Sequence, residues 1–155
     1  MQLFKRVILG VLLSFGALLA ADQKAVFDLT SGDAAVIEKH LVRNIEALAD
    51  YYRANQITFK LVVVISGDAY KYFVEDIENS PYSGEPGLKE AQKKLAPRLE
   101  RLHREHGVEF DMCKAGMKAR KIGRELLYGY VRSDLNKSVY LIQWQNKGYA
   151  YMPVH

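Results

Sequence analysis

Residues 58–66 read TFKLVVVIS, with three consecutive valines (Val62, Val63, Val64) between Leu61 and Ile65. A strand built from such a run has no polar face, so both of its faces must be covered. That is the situation in the middle of a parallel sheet. The run is also too short for an average helix, and Gly67 closes it.

Outward from this strand the chain alternates. Residues 25–30 (AVFDLT) form a shorter β-type run, followed by the turn and cap residues Ser31, Gly32 and Asp33. Residues 34–55 place Val36, Ile37, His40, Leu41, Ile45, Leu48 and Tyr52 at helical spacing, with Glu38, Lys39, Arg43 and Glu46 on the wet side. After the valine strand, Asp68 is placed to cap a short helix to about residue 76, and NSPYSGEPG (79–87) is a loop. A charged helix follows over 88–106, with Pro97 expected to kink or split it near Ala96 and Gly107 as its stop. Further strands are expected at 108–112, 127–131 and 149–154, with helices over 115–121 and from Ser133 or Asp134 to about residue 146. Pro153 suits an edge strand. Strand and helix in repeated alternation predict an α/β fold, an open parallel sheet of about five strands with helices on both faces.

The first twenty residues, MQLFKRVILGVLLSFGALLA, have the form of a secretory signal peptide: Lys5 and Arg6, then an apolar stretch, then Ala20 and Ala21. The expectation is an exported, periplasmic protein with a leader over 1–20, one domain over 21–155, and no membrane span after processing. Lys5 and Arg6 account for two of the four net positive charges. The remaining domain is nearly balanced in charge, which argues against nucleic acid as a partner.

One cysteine, Cys113, is present. It falls in GVEFDMCKAGMKARKI (107–122), at the expected carboxyl end of a strand with a helix directly after it. Ligands of open α/β sheets bind at that edge. A helix N-terminus and the nearby Lys114, Lys118, Arg120 and Lys121 all favour a thiolate, the form of sulfur that attacks. Two readings stay open on the residues alone: a reactive thiol, or a buried cysteine acting as a small apolar side chain on a binding or structural module. His103 and His106, three apart, lack a third metal ligand at suitable spacing and read as surface histidines. Met112 should point away from Cys113 across the strand, which argues against a soft-metal site. Asn136 heads an N-x-S sequence, NKS.

Three segments resemble one family, the DsrE/DsrF-like sulfur-relay proteins. AVFDLTSGD is similar to its first strand and Thr-Gly-Asp turn, the Cys113 block to its Cys-Gly segment, and QNKGYAYMPV to its terminal strand. The resemblance implies a flavodoxin-like three-layer fold, assembly as trimers or hexamers, and a persulfide on Cys113. It implies anion stabilisation around the added sulfur by the backbone of Lys114, Ala115 and Gly116, assisted by Lys118 or Arg120. The partners implied are a sulfur donor or acceptor protein, or a small sulfane-sulfur compound, with no metal or organic cofactor. The sequence departs from the family where Lys114 stands in place of the glycine after the cysteine.

Overall fold

The computed structural model describes residues 22–155. The proposed leader lies outside the described residues. Five strands form one parallel sheet: β1 (Gln23–Leu29), β2 (Phe59–Ile65), β3 (Glu109–Met112), β4 (Val131–Arg132) and β5 (Ala150–Val154), in the order β4-β3-β2-β1-β5. The valine run is in the middle strand and is buried from Leu61 to Ile65. Pro153 lies on the edge strand β5, where its missing N–H costs no ladder bond.

Helix α1 (34–54) starts at Asp33, whose Oδ1 accepts the N–H groups of Ala35 at 2.7 Å and Val36 at 3.3 Å. Its Ile37–Val42 segment is wound as a π-helix before the α-helical Arg43–Ala54. Helix α2 (Leu88–His106) buries Leu88, Gln92, Leu95, Leu99 and Leu102, a stripe at helical spacing. It is not split at Pro97: the helix runs through, with Leu95 and Leu99 on either side held in the core. The packing of that stripe outweighs the one hydrogen bond a proline removes. Arg98 of α2 reaches Glu46 of α1 at 2.6 Å, tying the two helices side by side.

Two expectations need correction. Residues 127–131 do not form the fourth strand: β4 is only Val131–Arg132, while Leu127 makes an isolated antiparallel bridge with Val74. The segment after Asp68 is a 3-10 turn, Ala69–Phe73, rather than an α-helix to residue 76. There Tyr70, Tyr72 and Phe73 are all buried, and a five-residue turn already satisfies that packing.

The sheet has two unlike faces. Phe27, Leu29, Val63, Ile65, Phe110 and Met112 meet Leu41, Ile45, Leu99 and Leu102 of α1 and α2 in the main core. On the other face Val26, Val62 and Val64 meet Tyr140 and the partly buried Trp144 of α4 (Lys137–Asn146), together with Tyr149. Chain order explains the split. The strands β1 to β4 step in one direction, then β5 returns to the far side of β1. A right-handed crossover for that return must use the opposite face. The helix α3 (Lys114–Arg120), which follows β3, therefore packs Met117 on the main-core side, and α4, which follows β4, packs on the other.

Candidate functional site at the carboxyl edge of strand β3

Crossovers that leave neighbouring strands for opposite faces open a crevice at the carboxyl ends of those strands. β3 and β4 are such a pair, and Cys113 is the first residue after β3 and the N-cap of α3. Its own N–H still belongs to the sheet, donating to the Ile65 carbonyl at 2.9 Å, while its carbonyl accepts the N–H of Met117 at 3.2 Å. The residue thus joins the ladder to the helix, and its position has little freedom.

Two helix N-termini meet at the thiol. The N–H of Lys114 donates to the Leu135 carbonyl at 2.9 Å, and the N–H of Ala115 donates to Asn136 Oδ1 at 3.1 Å. Asn136 is the N-cap of α4, but it spends its side chain on α3 and so binds the two helix starts together. Lys137, the first residue of α4, places its Nζ 2.9 Å from the carboxylate of the buried Asp28 on β1. Asp28 also accepts the Tyr151 hydroxyl at 2.8 Å. This anchor holds the start of α4 down over the sheet.

Cys113 is only 9% exposed, and burial by itself pushes a thiol up. Hydrogen bonding outweighs it here: the N–H groups of Gly116 and Lys137, the Tyr70 hydroxyl and the N–H of Ala115 hold the thiol below its ordinary value. Tyr70 is itself pushed far up, first by burial and then by its bond to Cys113, so it stays protonated and keeps its hydrogen to donate. Its hydroxyl donates to the Cys113 carbonyl at 3.0 Å, across the N-cap. Gly116 makes room for it: a Cβ there would lie 1.8 Å from Tyr70 Oη.

The expected site residues divide. Of the three backbone donors, the N–H of Gly116 bears most on the thiol, that of Ala115 is shared with Asn136 Oδ1, and that of Lys114 is given to the Leu135 carbonyl. Lys114 and Lys118 line a cleft of about 440 Å³ with Ser133 and Asp134, along the outer side of α3. Arg120 is turned the other way: its guanidinium donates to the Gly67 carbonyl at 2.6 Å, lies 3.6 Å from Asp68 and covers the Tyr70 ring at 4.7 Å. It steadies the tyrosine instead of meeting the sulfur. Tyr70, Lys137 and Asp28 carry no local signal of a site in the sequence, and Asn136 stands out there only as the head of an N-x-S sequence. An asparagine before a helix is itself a cap signal, but Ser133 and Asp134, a few residues earlier, carry the same signal.

His103 and His106 do not form a pair: the first contacts the Val108 carbonyl and stacks on Tyr130, and the second contacts Arg53. No group of three metal-ligating side chains occurs among the described residues. Nor is any helix among them long and apolar enough to cross a membrane.

The model of one family, DsrE/DsrF-like, fits residues 24–154. The chain belongs to the DsrE/DsrF-like family. Among solved structures, the DsrE-like domain resembles the protein of unknown function MTH1491 from Methanobacterium thermoautotrophicum, with a TM-score of 0.61 and 17% identity over 85% of this chain and 99% of that one. It is also similar to the ychN protein from E. coli, with a TM-score of 0.48 and 15% identity over 84% of this chain and 98% of that one. At such identities the first likeness speaks for the fold alone. No curated protein sequence matches the chain closely.

Proposed function

We propose that this DsrE-like protein is an exported sulfur carrier in which Cys113 receives a sulfane sulfur and passes it to a partner thiol. The observation that carries the reading is the seat of Cys113 at the N-terminus of α3, with the start of α4 tied beside it through Asn136, where backbone N–H groups, Gly116 foremost, lower the thiol from its ordinary value although burial opposes them. Donors fixed in this way stabilise an anionic sulfur without reorganising around it. Export rests on the leader-like residues 1–20.

In the loading step the Cys113 thiolate attacks a sulfur of a polysulfide dianion. One S–S bond forms at Sγ, one breaks in the polysulfide, and the leaving chain departs one sulfur shorter with its two negative charges. In the unloading step an acceptor thiolate attacks the outer sulfur, the Sγ–S bond breaks, and Cys113 returns as thiolate. Neither step needs an external oxidant or reductant. The donor is a small sulfane-sulfur compound or a partner protein. Val139 and Ile142 on α4 and Tyr151 on β5 stand exposed on one side of the sheet, which supports assembly with further copies, as a trimer or hexamer.

The burial of Cys113 favours the second reading, a module in which the cysteine is silent. One experiment separates them. The purified protein treated with polysulfide gains mass in steps of one sulfur atom, Cys113→Ser does not, and alkylation of the wild type inflects below the ordinary cysteine value. Equal behaviour of the two proteins, or a thiol that reacts only after unfolding, refutes the sulfur-carrier reading.

A further inference from the structure

Along β2, Leu61, Val63 and Ile65 face the main core, and Val62 and Val64 face α4. Alternation sends the next residue, Ser66, to the α4 side. Along β3, Phe110 and Met112 face the main core, while Asp111 is held by Trp144 of α4. Cys113 follows at the end of the strand, where it still packs with the main-core cluster beside Met117. The register pairs Ile65 with Met112, and the ladder continues one step beyond it, with the Cys113 N–H on the Ile65 carbonyl and the Ser66 N–H on the Leu29 carbonyl, each at 2.9 Å. Ser66 and Cys113 are therefore cross-strand neighbours at the carboxyl edge, about 4.8 Å apart along the sheet. The start of α4 lies beside them, since the Lys114 N–H donates to the Leu135 carbonyl at 2.9 Å and the Ala115 N–H to Asn136 Oδ1 at 3.1 Å.

Ser66 is 6% exposed, and its Oγ has no hydrogen-bond partner among the described residues. A buried hydroxyl left in that condition is costly, so its retention beside the thiol calls for a role. We propose that the Ser66 hydroxyl binds the outer sulfur of the Cys113 persulfide. The inference rests on the sulfur-carrier reading and names the group that tells the loaded state from the free one. Ser66 Oγ makes no hydrogen bond to Sγ, so it adds nothing to the thiolate. A persulfide lengthens the side chain by one S–S bond, about 2 Å, and moves the negative charge outward by that distance. A hydroxyl on the neighbouring strand can then donate to the charged sulfur, a bond between a neutral donor and an anion and thus one of the stronger kinds. Ser66 keeps its proton throughout and takes no part in the bond changes.

The test compares wild type with Ser66→Ala at sub-saturating polysulfide, reading persulfide by intact mass and alkylation against pH in the unloaded proteins. Loss of a hydrogen bond to a charged group should lower the loading constant about tenfold. The alkylation profile should stay where it is, and the melting temperature should not fall, because the deleted hydroxyl had no partner. Unchanged loading in Ser66→Ala, with the wild type loading normally, overturns this inference and leaves the sulfur-carrier reading standing. A displaced alkylation profile or a lower melting temperature also overturns it, since the hydroxyl would then serve the thiol or the fold. Failure of the wild type to load removes both readings together.

Discussion

Replacing Gly116 with alanine should damage both the fold and the thiol, although the change would ordinarily favour a helix. Gly116 lies inside α3, where glycine costs about 0.8–1 kcal/mol relative to alanine. Propensity alone thus expects a stabilised protein. The added Cβ, however, would lie 1.8 Å from Tyr70 Oη, 2.5 Å from Cζ and 3.0 Å from Cε2. Tyr70 is fully buried, with Arg120 stacked on its ring, so it cannot swing away as a surface side chain would. Overpacking of this kind costs about 1–3 kcal/mol, and a further ~1 kcal/mol is lost if the Tyr70 bond to the Cys113 carbonyl opens. The expected net loss is about 1–3 kcal/mol, a fall of roughly 3–12 °C in melting temperature for a domain of this size. The same displacement withdraws the Gly116 N–H and the Tyr70 hydroxyl from the thiol, so the alkylation profile should move to higher pH. Tyr70→Phe relieves only the closest contact, so the double variant should recover part of the stability but not the thiol profile. Thermal denaturation and alkylation rates against pH read both effects. A Gly116→Ala protein that is more stable than wild type, with an unmoved thiol, would refute the packing argument and the role given to Tyr70.

Two further outcomes follow from the polar groups around α4. Asn136→Asp keeps the acceptor for the Ala115 N–H and adds a negative charge beside the thiol; alkylation at neutral pH should slow with little change in melting temperature, and an unchanged rate would show that Asn136 is remote from the sulfur. Asp111 is fully buried against Arg132 at 2.7 Å and Trp144 at 2.8 Å, and its carboxyl is pushed up first by burial, with those partners opposing. Arg132→Met should cost about 2–3 kcal/mol at neutral pH, somewhat under the value for a fully buried pair because Arg132 is partly exposed. A carboxyl whose folded pKa lies above its unfolded one favours the folded state when protonated, so that loss should shrink as pH falls through the raised folded value. Denaturant melts of both proteins across acidic to neutral pH check the sign, and a loss that grows on acidification would contradict it.

The sheet was legible because its signal is local and strong. LVVVI has no wet face, so its place in the middle of a parallel sheet follows from composition, and Pro153 marked its edge. Gly107 and Asp33 ended and began helices where their own backbone and side-chain chemistry required it. The weak element was β4, two residues long, whose pairing depends on β3 beside it and not on its own apolar pattern. Pro97 misled because a helix-breaking residue was weighed without the leucines packed on either side of it.

For the site, the sequence by itself determined the reactive candidate and the edge at which it lies: one cysteine, after a strand, before a helix. The amides of Ala115 and Gly116 came with that, because they are its chain neighbours. Only the tertiary structure decided what else faces the sulfur. Tyr70 is 43 residues away from Cys113 in the chain and Ala115 is 21 from Asn136, distances over which no local pattern carries information. They meet because the return of β5 past β1 sends α4 to the opposite face of the sheet from α3, and so brings a second helix start to the end of β3. The basic run 114–121 looked like one cluster in the sequence, but a helix turns about 100° per residue and distributes it. Lys114 and Lys118 went to one side, and Arg120 went to the tyrosine.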